Sequence, residues 1–214
     1  MMDFPKVTVV HRRMSKEAFY KRLTLNKALK ERFVSDVEQI YVENSFTKDN
    51  LNLTVDSGVN EILLLSITLK KQDFDGKVVE AIARQNQHKL VFLLQFNQQN
   101  QLAIYHGKLY RTEWIDESET DLQLQGFSLE EIWTAFIEQI ALHGEKAANT
   151  ETLSVDERLG LQDRILKLEK QIEKTEAAAW KEQQPKKQFN LYTRLQKYKQ
   201  ELENLKKGVK DGLV

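Results

Sequence analysis

A chain of 214 residues with 41% apolar side chains is long enough to bury a core, which excludes disorder throughout. Its 32 basic and 32 acidic residues cancel, so no global field draws it onto nucleic acid or an anionic membrane, and the lack of cysteine excludes disulfides, thiolate zinc sites and thiol nucleophiles. The opening Met1-Met2-Asp3-Phe4-Pro5 has no apolar signal core and no apolar run approaches the ~20 residues of a membrane helix, so a soluble, cytoplasmic chain with no membrane partner is expected.

After a short extended opening at Val7, Val9 and Val10, Ser15 is placed to cap a helix from about Lys16 to Leu23. Asn26 caps a longer one. From Lys27 to about Glu43, Leu29, Phe33, Val34, Val37, Ile40 and Tyr41 recur at steps of three and four, the spacing of one helical face. The surrounding His11, Arg12, Arg13, Lys16, Lys21, Arg22, Lys27, Lys30 and Arg32 read first as a solvated surface and second as a phosphate or acidic-partner surface.

Leu51, Leu53 and Val55 alternate with polar residues and predict a half-buried strand, followed by the turn residues Asp56-Ser57-Gly58. The apolar run Ile62 to Leu65, continuing to Leu69, predicts an inner strand. A helix near 74–87, with Val78, Val79, Ile82 and Ala83 on one face, is long enough to cross the sheet and permits a parallel pairing with the strand at 90–96. A polar turn at Asn97 to Asn100 and short strands at 102–105 and 109–114 complete a meander. After the acidic loop Asp116 to Asp121, Ser128 with Glu131 forms a capping box for a core helix ending at His143-Gly144.

Residues 145–153 are small or polar, the composition of a linker. Ser154 and Glu157 then open a second capping box, and Leu161, Ile165, Leu168, Ile172, Thr175 and Ala179 follow at 4-3-4-3-4 spacing. Leu191, Leu195, Tyr198, Leu202 and Leu205 repeat the spacing, but in a phase that breaks at Pro185. A proline with a change of phase predicts two helices folding back, about 28 and 20 residues long, rather than one kinked coil. The fold class is therefore α+β, a mixed, mostly antiparallel sheet flanked by helices (1–144), a linker (145–153) and a C-terminal antiparallel helical hairpin of coiled-coil type (154–214). Residues 154–214 carry 14 Lys/Arg against 10 Asp/Glu, so a net +4 arm accompanies a net −4 remainder.

Chemistry is sparse. No phosphate loop, dinucleotide fingerprint or nucleophile elbow is present, and His11, His88, His106 and His143 show no paired spacing for a metal. Asp56 and Lys70 stand where a Mg²⁺-dependent nuclease places an acid and a lysine on adjacent strands, but Thr68 occupies the position of the second carboxylate. No cofactor is expected. The segments Lys27-Ala-Leu-Lys-Glu-Arg-Phe33, Ile67-Thr-Leu-Lys70, Leu90-Val-Phe-Leu-Leu94 and Tyr110-Arg-Thr-Glu-Trp114 resemble an uncharacterised bacterial family, the domain of unknown function DUF4391, over about residues 1–143. These are packing patterns and carry no catalytic residues with them. The resemblance implies a genomic setting beside DNA methyltransferase and helicase genes of restriction or phage-defence type.

The expected function is a non-catalytic accessory subunit. It would dock to a larger DNA-acting enzyme, such as a helicase or methyltransferase subunit, or to a second copy, through Leu161, Ile165, Leu168, Ile172, Leu191, Leu195, Tyr198, Leu202 and Leu205. The alternative is a nucleic-acid binder or degenerate nuclease that uses Arg12, Arg13, Lys186, Lys187, Arg194 and Lys197.

Overall fold

The computed structural model describes residues 2–17, 23–55, 58–142 and 153–211, with side chains of the last helix as far as Lys206. The chain divides into two compact units, Met1–His143 and Gly144–Val214. The first is a seven-stranded mixed sheet with helices on both faces, in the order β1-β2-β3-β4-β5-β6. Its strands are β1 (Val9–Arg13), β2 (Val37–Thr47), β3 (Glu61–Leu69), β4 (Lys89–Phe96), β5 (Gln99–His106) and β6 (Lys108–Arg111), while β7 (Ile115–Asp116) pairs with β5. The helices described in full are α1 (Lys27–Asp36), α2 (Lys77–Arg84) and α3 (Leu129–Ala141).

The crossover expectation holds. β3 and β4 are joined through α2 and pair in parallel, Leu63 beside Leu90 and Leu65 beside Phe92, while every other pairing in the sheet is antiparallel. With neighbours on both edges, β3 is an inner strand, and alternation distributes its apolar side chains between two cores. Leu65, Ile67 and Leu69 join Phe33 of α1, Val78, Val79 and Ile82 of α2, and Leu90, Phe92 and Leu94 of β4. Ile62 and Leu64 turn to the other face, where Phe46 of β2 packs its ring 5.8 Å from that of Phe136 in α3.

Four expectations are corrected. The helix predicted from Lys27 to about Glu43 stops at Asp36, and residues 37–47 form β2. The ladder shifts between Val37 and Gln39, so the buried residues Val37 and Ile40 stand three apart and imitate helical spacing. A second bulge at Glu43 reverses the parity, sending Val42 to one core and Phe46 to the other. The predicted strand at 51–55 is a turn, in which the Asn50 side chain accepts from the Thr47 amide (2.9 Å) and donates to the Ser45 carbonyl (2.7 Å).

The polar turn expected at 97–100 contracts to two residues. Gln99 and Asn100 enter β5, and Asn97 takes a left-handed φ of 54° that asparagine tolerates better than most residues. The strand expected to reach Trp114 ends at Arg111. Most of the helix expected at 16–23, the end expected at His143-Gly144 and the linker as far as residue 152 lie outside the described residues.

The caps explain where helices begin. Asn26 accepts from the Leu29 amide at 2.8 Å, and Ser128 accepts from the Glu131 amide at 3.2 Å. The box at Ser128 is one-sided, since the Glu131 carboxylate takes the Phe127 amide (2.8 Å) instead. At Ser154 both halves form.

The second unit is a helical hairpin. Helices α4 (Val155–Lys181) and α5 (Pro185–Asp211) are 27 residues each, so the second is longer than the seam alone predicts. The three residues between them and the cross-helix pairs Arg164–Glu201, Glu176–Lys199 and Glu169–Lys206, all within 3.0 Å, establish an antiparallel fold-back. Pro185 opens α5 at the position where a missing amide hydrogen costs nothing.

Candidate interaction surface

The seam residues form the inner side of the hairpin. Ile165, Leu168, Ala179 and Leu195 are buried, while Leu161, Ile172, Leu191, Tyr198, Leu202 and Leu205 are half-buried. Apolar side chains at every third and fourth position close on one another in this way because each helix alone has no other surface to cover them.

The outward faces hold what the spacing rule does not detect. Trp180 is 78% exposed, Phe189 70% and Tyr192 39%, and all three lie beside the Glu182–Gln184 connection at the hairpin tip. Their common side follows from the ion pairs. Glu176 meets Lys199 (3.0 Å) and Glu169 meets Lys206 (2.8 Å), which defines one flank of the hairpin. Trp180 is four residues beyond Glu176, Tyr192 seven before Lys199 and Phe189 three before Tyr192, steps that preserve a helical face. The flank thus runs from charged rungs to an aromatic tip. Aromatic residues out of phase with the leucine seam were the available sequence signal.

The basic candidates on this helix are at the surface. Lys186, Lys187, Arg194 and Lys197 are exposed, and Lys187 and Arg194 line a depression of about 260 Å³ with Glu182, Asn190 and Leu191. Arg12 and Arg13 lie on β1, in the other unit. Tryptophan, tyrosine and arginine are the side chains that protein interfaces favour at their anchoring points, because each offers large area with few rotamers to fix and retains a polar handle.

The nuclease candidates separate differently. Asp56 lies outside the described residues. Lys70 directs its ammonium group to the Val34 carbonyl at 2.9 Å, and Lys16 donates to the Val37 carbonyl at 2.5 Å, so both neutralise the end of α1, whose last turn has no basic residue of its own. Burial, reinforced by the nearby charges of Lys70 and Arg13, lowers the Lys16 amine below its ordinary value against the opposing pull of Glu38.

Asp36 is the buried acid that sequence reasoning missed. Its side chain has no exposed surface and accepts from Lys71 (2.9 Å), the Ser35 hydroxyl (2.5 Å) and the Asp75 amide (3.0 Å). Burial alone would raise this carboxyl, but Lys71, Ser35 and Asp75 together hold it below the ordinary value. Among the described residues no three His, Asp or Glu side chains gather as a metal site, and no helix is long and apolar enough to cross a membrane.

Compared with known proteins, the chain matches a family model described as a domain of unknown function (DUF4391) over residues 2–202. The match runs through α4 and most of α5, so the helical arm is part of what the family shares, not an addition after residue 143. No curated protein and no solved structure matches.

Proposed function

The chain belongs to the DUF4391 family, and from that premise we propose that it is a non-catalytic accessory subunit that docks through its helical hairpin onto a larger protein. The observation that carries this reading is the aromatic flank: Trp180, Phe189 and Tyr192 stay exposed on a hairpin whose own seam already has a partner. Exposed large aromatics cost solvation without contributing to the fold, so they are best accounted for by a surface that covers them. The expected partner is a DNA-acting enzyme of the restriction or phage-defence type, a methyltransferase or helicase subunit; that specificity rests on the family resemblance. A second copy of the chain, meeting the outer faces of the same helices, is the other protein partner.

The test is co-expression of the full chain with methyltransferase and helicase products of adjacent genes. The wild type is expected to recover a partner, and the triple variant W180A/F189A/Y192A to lose it while keeping its helical circular dichroism. Equal recovery by both sinks the proposal.

A second reading has its own observation. Lys186, Lys187, Arg194 and Lys197 are exposed on the helix that bears Phe189 and Tyr192, and cations interleaved with aromatic rings suit a single-stranded nucleic acid, phosphates on the cations and bases on the rings. It predicts oligonucleotide binding that weakens steeply as salt rises from about 50 to 200 mM. No anisotropy change at the lower salt rejects it.

A further inference from the structure

A cavity of about 650 Å³ opens in the first unit between β1–β3 and the end of α2, remote in sequence from the hairpin. Its apolar lining comes from Val10, Met14, Val42, Leu63, Leu65 and Ile82. That size falls within the roughly 300–1,000 Å³ of small-molecule sites, and the pattern of an apolar wall with a few converging polar groups is theirs as well.

The polar side of this cavity is preorganised. The Glu61 carboxylate, at the start of β3, accepts from the Ser45 hydroxyl (2.5 Å) through one oxygen and pairs with His88 Nδ1 (3.0 Å) through the other. Both carboxylate oxygens are therefore engaged within the protein. His88 is fixed twice, since its amide also donates to the Asn86 side chain (2.9 Å). Gln85, which lines the same wall, accepts from the Thr24 amide (2.6 Å) and ties this loop to the segment ahead of α1. An imidazole held at Nδ1 by a carboxylate presents Nε2 as its remaining polar atom. Arg12 reaches the same cavity from β1.

These observations select a ligand class. With Glu61 occupied by Ser45 and His88, the Arg12 guanidinium is the cationic group that lines this cavity and suits an anion, while the imidazole, donating from Nδ1 to Glu61, offers Nε2 as an acceptor. We propose that the cavity is a binding site for a small molecule with an apolar body and a single anionic head, the body against Leu63, Leu65 and Ile82 and the head on Arg12.

The test uses a dye of that description, 8-anilinonaphthalene-1-sulfonate, and its uncharged relative N-phenyl-1-naphthylamine, titrated into the full chain by fluorescence and calorimetry. One saturable site is expected for the sulfonate, with the neutral dye weaker. Arg12→Ala, a change on an exposed strand residue, should weaken the sulfonate about tenfold, the scale of one charge-assisted hydrogen bond, and leave the neutral dye unchanged. Leu63→Trp should fill the cavity and abolish both, and Arg12→Ala carries the test whichever way Leu63→Trp affects folding. The triple variant of the hairpin tip should bind as the wild type does, which separates this site from the aromatic flank. No saturable binding, a neutral dye that binds as well as the sulfonate, or sulfonate binding untouched by Arg12→Ala overturns the proposal.

Discussion

Asp36 shows how one residue joins three segments. It ends α1, its carbonyl accepts from the Lys70 amide (2.8 Å), and its carboxylate holds Lys71 and the Asp75 amide at the entry to α2. Removing a buried carboxylate strands these donors, so Asp36→Ala is expected to cost about 3 kcal/mol in denaturant unfolding, in the range seen when one partner of a buried charged network is deleted. The pH dependence has a definite sign. The folded carboxyl titrates below its ordinary value, so its contribution is complete above the carboxylate range and is lost as pH falls through about 4 toward the folded value. The stability difference between wild type and Asp36→Asn should therefore be largest near neutrality and shrink in acid; a difference that grows in acid contradicts the assignment. This site was illegible in the sequence, because nothing local distinguishes Asp36 from the acidic residues that stay in solvent.

Among the elements, the helices were the easier to read where a cap and a long seam agreed. Ser154, Glu157 and the repeats on either side of Pro185 predicted the hairpin, and the cross-helix pairs confirm its direction. Its stability should reside in the seam rather than the rungs. Leu195→Ala is expected to destabilise the hairpin by about 2 kcal/mol through lost burial, whereas Lys199→Ala, an exposed ion-pair partner, should change it by under about 1 kcal/mol. Thermal unfolding followed at the helical circular dichroism band distinguishes the two, and comparable losses would place the stability in the ion pairs. β2 was the hardest to read. Two bulges alter which residues face inward, and a period defined by bulges is invisible until the neighbouring strands fix the register.

For the whole molecule, the proposed roles divide between the two units. The body carries the cavity bounded by Arg12, Glu61 and His88, and the arm carries the aromatic flank. The balance of 32 positive and 32 negative side chains predicts that any nucleic-acid affinity arises from local patches. Substituting Lys186, Lys187 and Arg194 together by Ala should then remove oligonucleotide binding, if it is found, while leaving the cavity's affinity for the sulfonate dye intact; loss of both by these changes would show that the two surfaces are not independent.

The sequence by itself determined the α+β class, an inner place for β3 and the fold-back at Pro185, and it permitted the parallel pairing with β4, because each depends on hydrophobic periodicity or on backbone chemistry local to the chain. Tertiary structure decided the rest. Strand β2, the burial of Asp36 and the meeting of Ser45, Glu61 and His88 depend on register between strands far apart in sequence, and register is set by which faces are buried together, not by any one segment. The exposure of Trp180, Phe189 and Tyr192 was likewise decided only when the two seams closed and left those rings on the outside.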